Sequence, residues 1–290
     1  MINKIGIIGG SALTDIEGLE VTDRIRMTTP YGDPSDEIVL GKMSGKEVVF
    51  LLRHGHYHTI LPTEVNNRAN IYALKKLGVN RILSVSAVGS LKEEIKPLDM
   101  VLVDQFIDRT NQSRETTFFG DGIVAHIPFA EPVCSELKNA VYNANHKTDI
   151  KIHDSGTYIN MEGPAFSTKA ESFLYKSWGG DVIGMTNMPE ARLAREAGIC
   201  YVTICMVTDY DSWNLASGTE TVSVSLVMDN IAKGFSLVKE ILVNTIKSFP
   251  ETIDCACHDS LKHAIITDLK HLSSERIRDL RVITGNKLDN

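Results

Sequence analysis

The chain has 290 residues, enough for one large domain or two small ones and for a core that needs no disulfide or metal to hold it. It is 43% hydrophobic and 23% charged, and 30 basic against 37 acidic residues leave a net charge of −7. That balance excludes a disordered chain and a broadly basic nucleic-acid surface, and no apolar run approaches the ~20 residues of a membrane span. The opening Met1-Ile2-Asn3-Lys4 is too short for a secretory leader, so a soluble cytoplasmic enzyme is expected, with no nucleic-acid or membrane partner.

Taken in chain order, short and nearly continuous apolar runs at residues 5–8, 48–52, 82–85, 100–103 and 201–207 read as strands buried on both faces. Helical patterns at 64–77, 167–178, 189–197 and about 222–246 lie between or after them. Strands alternating with helices predict an α/β sandwich with a mostly parallel sheet. The polar stretch 111–121 reads as a surface loop. No linker divides the chain, so residues 1–250 are expected to form one domain. Residues 251–290 are expected to add a C-terminal helix and a polar tail packed on that domain or trailing from it. Within the tail, Leu261, Ala264, Ile265 and Leu269 form an amphipathic stretch, and the charged end is expected to fray.

The five cysteines, Cys134, Cys200, Cys205, Cys255 and Cys257, contain no C-x-x-C pair, which argues against a zinc finger or a thioredoxin-type site. Cys255 and Cys257 are expected to be reduced thiols, with a redox pair or a disulfide as the alternative. Gly6, Gly9, Gly10 and Ser11 follow directly on the start of the first strand, without the dinucleotide spacing. They suit either a tight turn or backbone and hydroxyl donors around a phosphate. Arg53, His54, His56 and His58 form an R-H-x-H-x-H run. The three histidines at alternate positions could serve a metal-dependent hydrolase, but Arg53 would repel a cation. Arg beside His suits an oxyanion better. Asp209 and Asp211 end the most apolar strand, where open α/β sheets bind ligands. Either they cap a turn, or mutual repulsion raises one pKa and the pair reads a purine edge, a protonated oxygen donating to N7 and an ionised one accepting from a 6-amino group.

Several segments occur together in one order: Gly6 to Ser11, Arg53-His54 to His58, Asn66 to Asn70, Ser86-Ala87 to Leu91, Asp104 to Thr110, His126-Ile127-Pro128, Glu162-Gly163-Pro164 to Ser167, Gly184-Met185-Thr186 to Glu190, and Thr208 to Asp211. That order, over roughly residues 4–247, resembles the trimeric purine nucleoside phosphorylase superfamily, and within it the members that act on 5′-methylthioadenosine. The resemblance implies a three-layer α/β/α fold with a central mixed, mostly parallel sheet. It implies phosphorolysis of the nucleoside to adenine and 5-methylthioribose 1-phosphate, with phosphate as co-substrate and no cofactor or metal. By the same resemblance the phosphate site is Ser11, Arg53, His54, Ser86, Ala87 and Thr186. Met185 lies under the ribose, Phe166 and Ser167 beside the base, Asp209 is the general acid with Asp211 second to it, and Tyr210 between them also binds the substrate. His58, His126, Val224, Val227 and Met228 enclose the 5′ group, with His126 crossing from a neighbouring subunit in a trimer or a dimer of trimers. Two positions depart from the pattern: Gly184 stands where many such enzymes have Asn, and Ala165 where an Arg is usual. These departures keep open a broader purine nucleoside phosphorylase acting on adenosine, inosine or guanosine.

Overall fold

The computed structural model describes residues 4–10, 16–110, 114–214, 223–250, 255–268, 270 and 272–285. Its strands are β1 (Lys4–Gly9), β2 (Leu19–Ile25), β3 (Ile38–Met43), β4 (Lys46–Leu52), β5 (Val79–Ser90), β6 (Met100–Leu102), β7 (Gln105–Arg109), β8 (Ile152–His153), β9 (Thr157–Met161), β10 (Val182–Gly184) and β11 (Cys200–Tyr210). The helices are α1 (Asn67–Lys76), α2 (Ser135–Asn145), α3 (Lys169–Ser177), α4 (Glu190–Glu196), α5 (Val224–Ser248) and α6 (Ser274–Thr284).

All strands join one mixed sheet, in which β1, β4, β5 and β11 run parallel to their central neighbours while β2, β3, β6 and β10 supply antiparallel pairings. Alternation along β1 sends Ile5 and Ile7 to one face and Ile8 to the other. On the first face they meet Leu137 and Val141 of α2 and Val238, Ile241 and Leu242 of α5. On the second face lie Ile71 and Leu74 of α1, Leu193 of α4 and Leu280 of α6. The expected three layers are therefore present, and the continuous apolar strands follow from helices covering both faces.

The sheet branches at β5. This strand pairs with β11 along one edge, and along the other with β1 in its first half and β10 at its end. The branch places the ends of β5, β10 and β11 together, which is where ligands bind in such sheets.

Caps set the helix starts. The Asn66 side chain accepts from Ala69 N–H, so α1 begins later than the apolar pattern suggests. Thr168 and Glu171 form a capping box at α3. Two expectations need correction. The stretch expected to be a surface loop turns inward after its first residues, with Phe118 and Phe119 buried in the second layer and Arg114 buried nearby. Beyond residue 252, Leu261 to Ala264 form turns, Leu269 lies outside the described residues, and the helix comes later as α6, whose Leu280 and Ile283 are buried. The final residues expected to fray also lie outside the described residues.

Candidate active site

The second half of β5 is the spine of the site. Arg53, just past the end of β4, spans to it: Nη2 donates to Ser84 Oγ at 2.7 Å and Nη1 to the Val85 carbonyl at 3.1 Å. Its Nε and Nη2 also bind Glu190 Oε2 and Oε1 at 2.8 and 3.0 Å, a bidentate pair with both side chains buried. Ser84 Oγ and Tyr201 Oη donate to the same Glu190 Oε1, and Asn187 supports Tyr201. The Arg53 charge is thus matched by Glu190 inside the protein. Only the remaining Nη1 hydrogen is left to offer an anion.

Two residues further along, Ser86 Oγ lies 3.0 Å from Thr186 Oγ1 and 3.2 Å from Tyr158 Oη. Tyr158 is fully buried, and burial pushes its phenol up to about 12, so it stays protonated. Ala87 is exposed between buried neighbours, which marks the opening of the cleft. His54 Nδ1 lies 2.9 Å from the Ile60 carbonyl. A carbonyl can only accept, so Nδ1 carries the proton and Nε2 of the neutral ring is an acceptor. Burial, then the Arg53 charge, lower His54 to about 4, which keeps it neutral. The imidazole therefore meets an anion with a lone pair and not with an N–H.

The carboxylates come next along β5. The β5–β11 register shifts between Val207 and Asp209, a bulge that re-aims the end of β11. Asp209 then faces Gly89, where a Cβ would stand 3.3 Å from Asp209 Oδ2 and 3.5 Å from Asp211 Cβ. Thr208 donates to Asp209 Oδ1 at 2.6 Å. Burial, opposed by that hydrogen bond and aided by the Asp211 charge, raises Asp209 to about 6. Desolvation is thus the larger cause, and repulsion within the pair the smaller one. Asp211 is raised too, again by burial, and its Oδ2 is buried without a hydrogen-bond partner.

Other expected residues divide. Ser167 is buried, and its carbonyl accepts from Ser212 Oγ at 2.7 Å, next in chain to Asp211. Met185 packs against side-chain-free Gly163, where a Cβ would overlap its sulfur. Tyr210 is not brought to the carboxylates: its hydroxyl donates to Glu93 O and its ring meets Trp213, as alternation in a strand requires. Phe166, Val224 and Met228 are 40%, 67% and 56% exposed, Val227 is half-buried, and His58 and His126 are exposed. His54 and His58 stack at 4.7 Å while His56 packs on Tyr57. Among the described residues these histidines form no group of convergent metal ligands, so the hydrolase reading loses its basis. Ser11 lies outside the described residues.

Three contributors carried no assigned role in the sequence reading. Glu190 was quoted only as part of a motif. Arg114 holds the floor of the site, donating to Glu162 Oε1 and O and to the carbonyls of Met185 and Met188 at 2.7–3.0 Å. Tyr158 explains Gly184, since a Cβ there would overlap the phenol oxygen. An Arg in a polar loop and a Tyr in an apolar strand gave no local signal.

A family model described as the phosphorylase superfamily matches residues 4–247. The S-methyl-5′-thioadenosine phosphorylase of Geobacter sulfurreducens is 52% identical over 286 residues, 99% of each chain. That of Thermofilum pendens is 48% identical over 263 residues, 91% of this chain and 98% of its own. Among solved structures, a methylthioadenosine phosphorylase from an Antarctic soil metagenomic library superposes with a TM-score of 0.89 at 45% identity, covering 97% of this chain and 98% of that one.

Proposed function

Because this chain belongs to the phosphorylase superfamily, among the S-methyl-5′-thioadenosine phosphorylases, we propose that it cleaves S-methyl-5′-thioadenosine with phosphate to adenine and 5-methylthioribose 1-phosphate. It is a pentosyltransferase whose co-substrate is inorganic phosphate. The observation that carries the chemistry is Asp209: Oδ1 is tied to Thr208, Oδ2 stands beside Gly89, and its pKa is near 6.

As the glycosidic bond breaks, positive charge grows on the ribose and negative charge on the purine. A neutral Asp209 holds its proton on Oδ2, because Oδ1 already accepts from Thr208, and delivers it to N7. Asp211 is the second carboxyl on the base edge. Phosphate sits among Ser86, Thr186, the Ala87 N–H, Arg53 and Ser11. Since Glu190 offsets Arg53, hydrogen-bond donors rather than net charge hold it. His54 Nε2 accepts from a P–OH and turns the opposite oxygens toward the anomeric carbon. Phe166 and Ser167 border the base, and Met185 lies under the sugar. Gly184 is no sign of a different substrate, because the Tyr158 hydroxyl fills the space an Asn there would need.

The methylthio group enters between Val224, Val227, Met228 and His58. These side chains are open in one chain, and a second copy covers them and contributes His126, giving a trimer or a dimer of trimers. Residues 1–250 are the catalytic domain, and 251–290 add a C-terminal helix and a polar tail, packed on it or trailing from it. No helix among the described residues is long and apolar enough to cross a membrane. The expected setting is the cytoplasm, with neither cofactor nor nucleic-acid partner.

Chromatography of the freed base tests the reaction. Adenine is expected from methylthioadenosine only when phosphate is present. Release without phosphate overturns the phosphate site, and faster hypoxanthine release from inosine overturns the substrate. Light scattering tests the assembly: a monomer at micromolar concentration contradicts the shared pocket.

A further inference from the structure

Far from the cleft, four cysteines that are scattered in sequence come to one point. The Sγ atoms of Cys134, Cys200, Cys255 and Cys257 all lie within 4.8 Å of one another. No other set of three or more metal-ligating side chains converges in this way among the described residues. Cys134 is the N-cap of α2, Cys200 opens β11, and Cys255 and Cys257 flank and enter a single 3-10 turn, Ala256–Asp259. Cys200 and Asp209 stand nine residues apart on an extended strand, so about 30 Å separates this cluster from the acid.

We propose that these four cysteines form a structural zinc site, a tetrathiolate that binds Zn²⁺ and fastens the C-terminal segment to the sheet. Zinc at about 2.3 Å from four sulfurs sets them about 3.8 Å apart on the edges of a tetrahedron. The present spacing is close to that value: all four sulfurs lie within 4.8 Å of one another, and Cys200 and Cys255, 3.0 Å apart, must open slightly. Side-chain torsions suffice for this. The ligands also come from three separate segments, which suits a tie between them. The segment already lies close against the sheet: a Cβ at Gly198, at φ +62°, would stand 3.3 Å from the His258 carbonyl oxygen, and Ser260 Oγ donates to the Arg195 carbonyl at 2.6 Å.

Charge separates this reading from a pair of disulfides. Zn²⁺ with four thiolates carries two net negative charges in a low-dielectric setting, which needs cations nearby. Arg81 is close enough to act electrostatically on Cys134, Cys200 and Cys255, and Arg195 on Cys257. Two disulfides would be neutral, whereas the tetrathiolate gives these guanidinium groups, which also donate to backbone carbonyls, a negative charge to face. His258, held through Nδ1 by the Gly198 carbonyl, adds a ring nitrogen 3.7 Å from Cys200 Sγ. Binding is a ligand exchange without redox: the metal gives up water, and the thiol protons leave to solvent.

The test uses full-length protein purified without chelator, its mass read before any reductant is added and its metal uptake read after reduction. Elemental analysis is expected to find about one zinc per chain, released as a mercurial titrates the thiols. Replacement by Co²⁺ is expected to show strong thiolate-to-cobalt charge-transfer bands and tetrahedral d–d bands. Cys257→Ser is expected to lose the metal and melt at a lower temperature, with unchanged kcat on the nucleoside. Should that variant fail to fold, the metal content and cobalt spectrum of the parent protein decide. Three results overturn the proposal: a metal-free chain lighter by four hydrogens, meaning two disulfides; four free thiols that take up neither Zn²⁺ nor Co²⁺; or bound cobalt without thiolate bands.

Discussion

Along the second half of β5, the polar side chains are buried and bonded within the chain: Arg53 to Glu190 and Ser84, Ser86 to Thr186 and Tyr158, Asp209 to Thr208. At the start of α5 the situation is reversed. Val224 and Met228 are apolar and exposed, and Phe166 across the cleft is 40% exposed. The first region must work as soon as the chain folds, because a misplaced donor costs rate. The second leaves apolar surface that a monomer rarely keeps bare, which the proposed function fills with substrate and a second subunit. Substitutions on the floor should therefore damage chemistry or folding, whereas those on the rim should change selectivity.

The largest effect is expected at Asp209. Asp209→Asn should lower methylthioadenosine turnover by about 10²–10⁴-fold, the usual span for a general acid. It should also improve the relative use of inosine, since an amide can donate to a 6-oxo group. Equal losses on both substrates would remove the base-edge argument. Next comes the buried pair: Glu190→Ala leaves Arg53 buried without its counter-charge and should cost about 3–5 kcal/mol in urea unfolding. A loss below about 1 kcal/mol would mean that solvent already reaches Arg53, and the contrast with the rim would fail.

On the rim, Met228→Asp should raise KM for methylthioadenosine about 10-fold or more while leaving adenosine nearly unchanged, because the new charge faces only the thioether. Like effects on both nucleosides would misplace the 5′ pocket. Acid–base behaviour gives the smaller signals. Asp209 must be protonated, and its pKa is raised to about 6, so kcat/KM should fall as pH rises through that value. Phosphate ionisation affects wild type and Asp209→Asn alike, so the ratio of their rates isolates the limb, and a flat ratio would reassign the acid. Stability follows the same sign. A carboxyl raised in the fold contributes stability below its unfolded pKa, near 3.8, and loses it as pH rises through about 6. Asp209→Asn should therefore gain a few degrees in Tm over wild type at pH 8 and none at pH 4.

Strand-core runs were legible in the sequence because both faces of the sheet are covered, which leaves continuous apolar segments such as residues 5–8 and 201–207. Short strands such as β8 and β10 were not, since two or three residues carry no period. Helix α2 was missed for a similar reason: among its eleven residues only Leu137, Val141 and Asn145 are buried. At the site, Ser86, Thr186 and Asp209 were recognised by motif order, and the structure brings Ser86 to Thr186 and Asp209 to Gly89. Tyr210 followed the motif by adjacency, which a strand contradicts by turning alternate side chains apart.

The sequence by itself determined the layered α/β fold, the family and the chemical types at the floor of the cleft, because these depend on local pattern and on motif order. Only the tertiary structure decided how those groups are tuned. Arg53 is neutralised by a residue 137 positions away, His54 is turned by the Ile60 carbonyl so that it accepts, and Asp209 is raised mainly by burial. Four cysteines without a C-x-x-C pair likewise become one cluster only when α2, β11 and the C-terminal turn pack together. Electrostatics and ligation depend on distance in space, and distance along the chain does not report it.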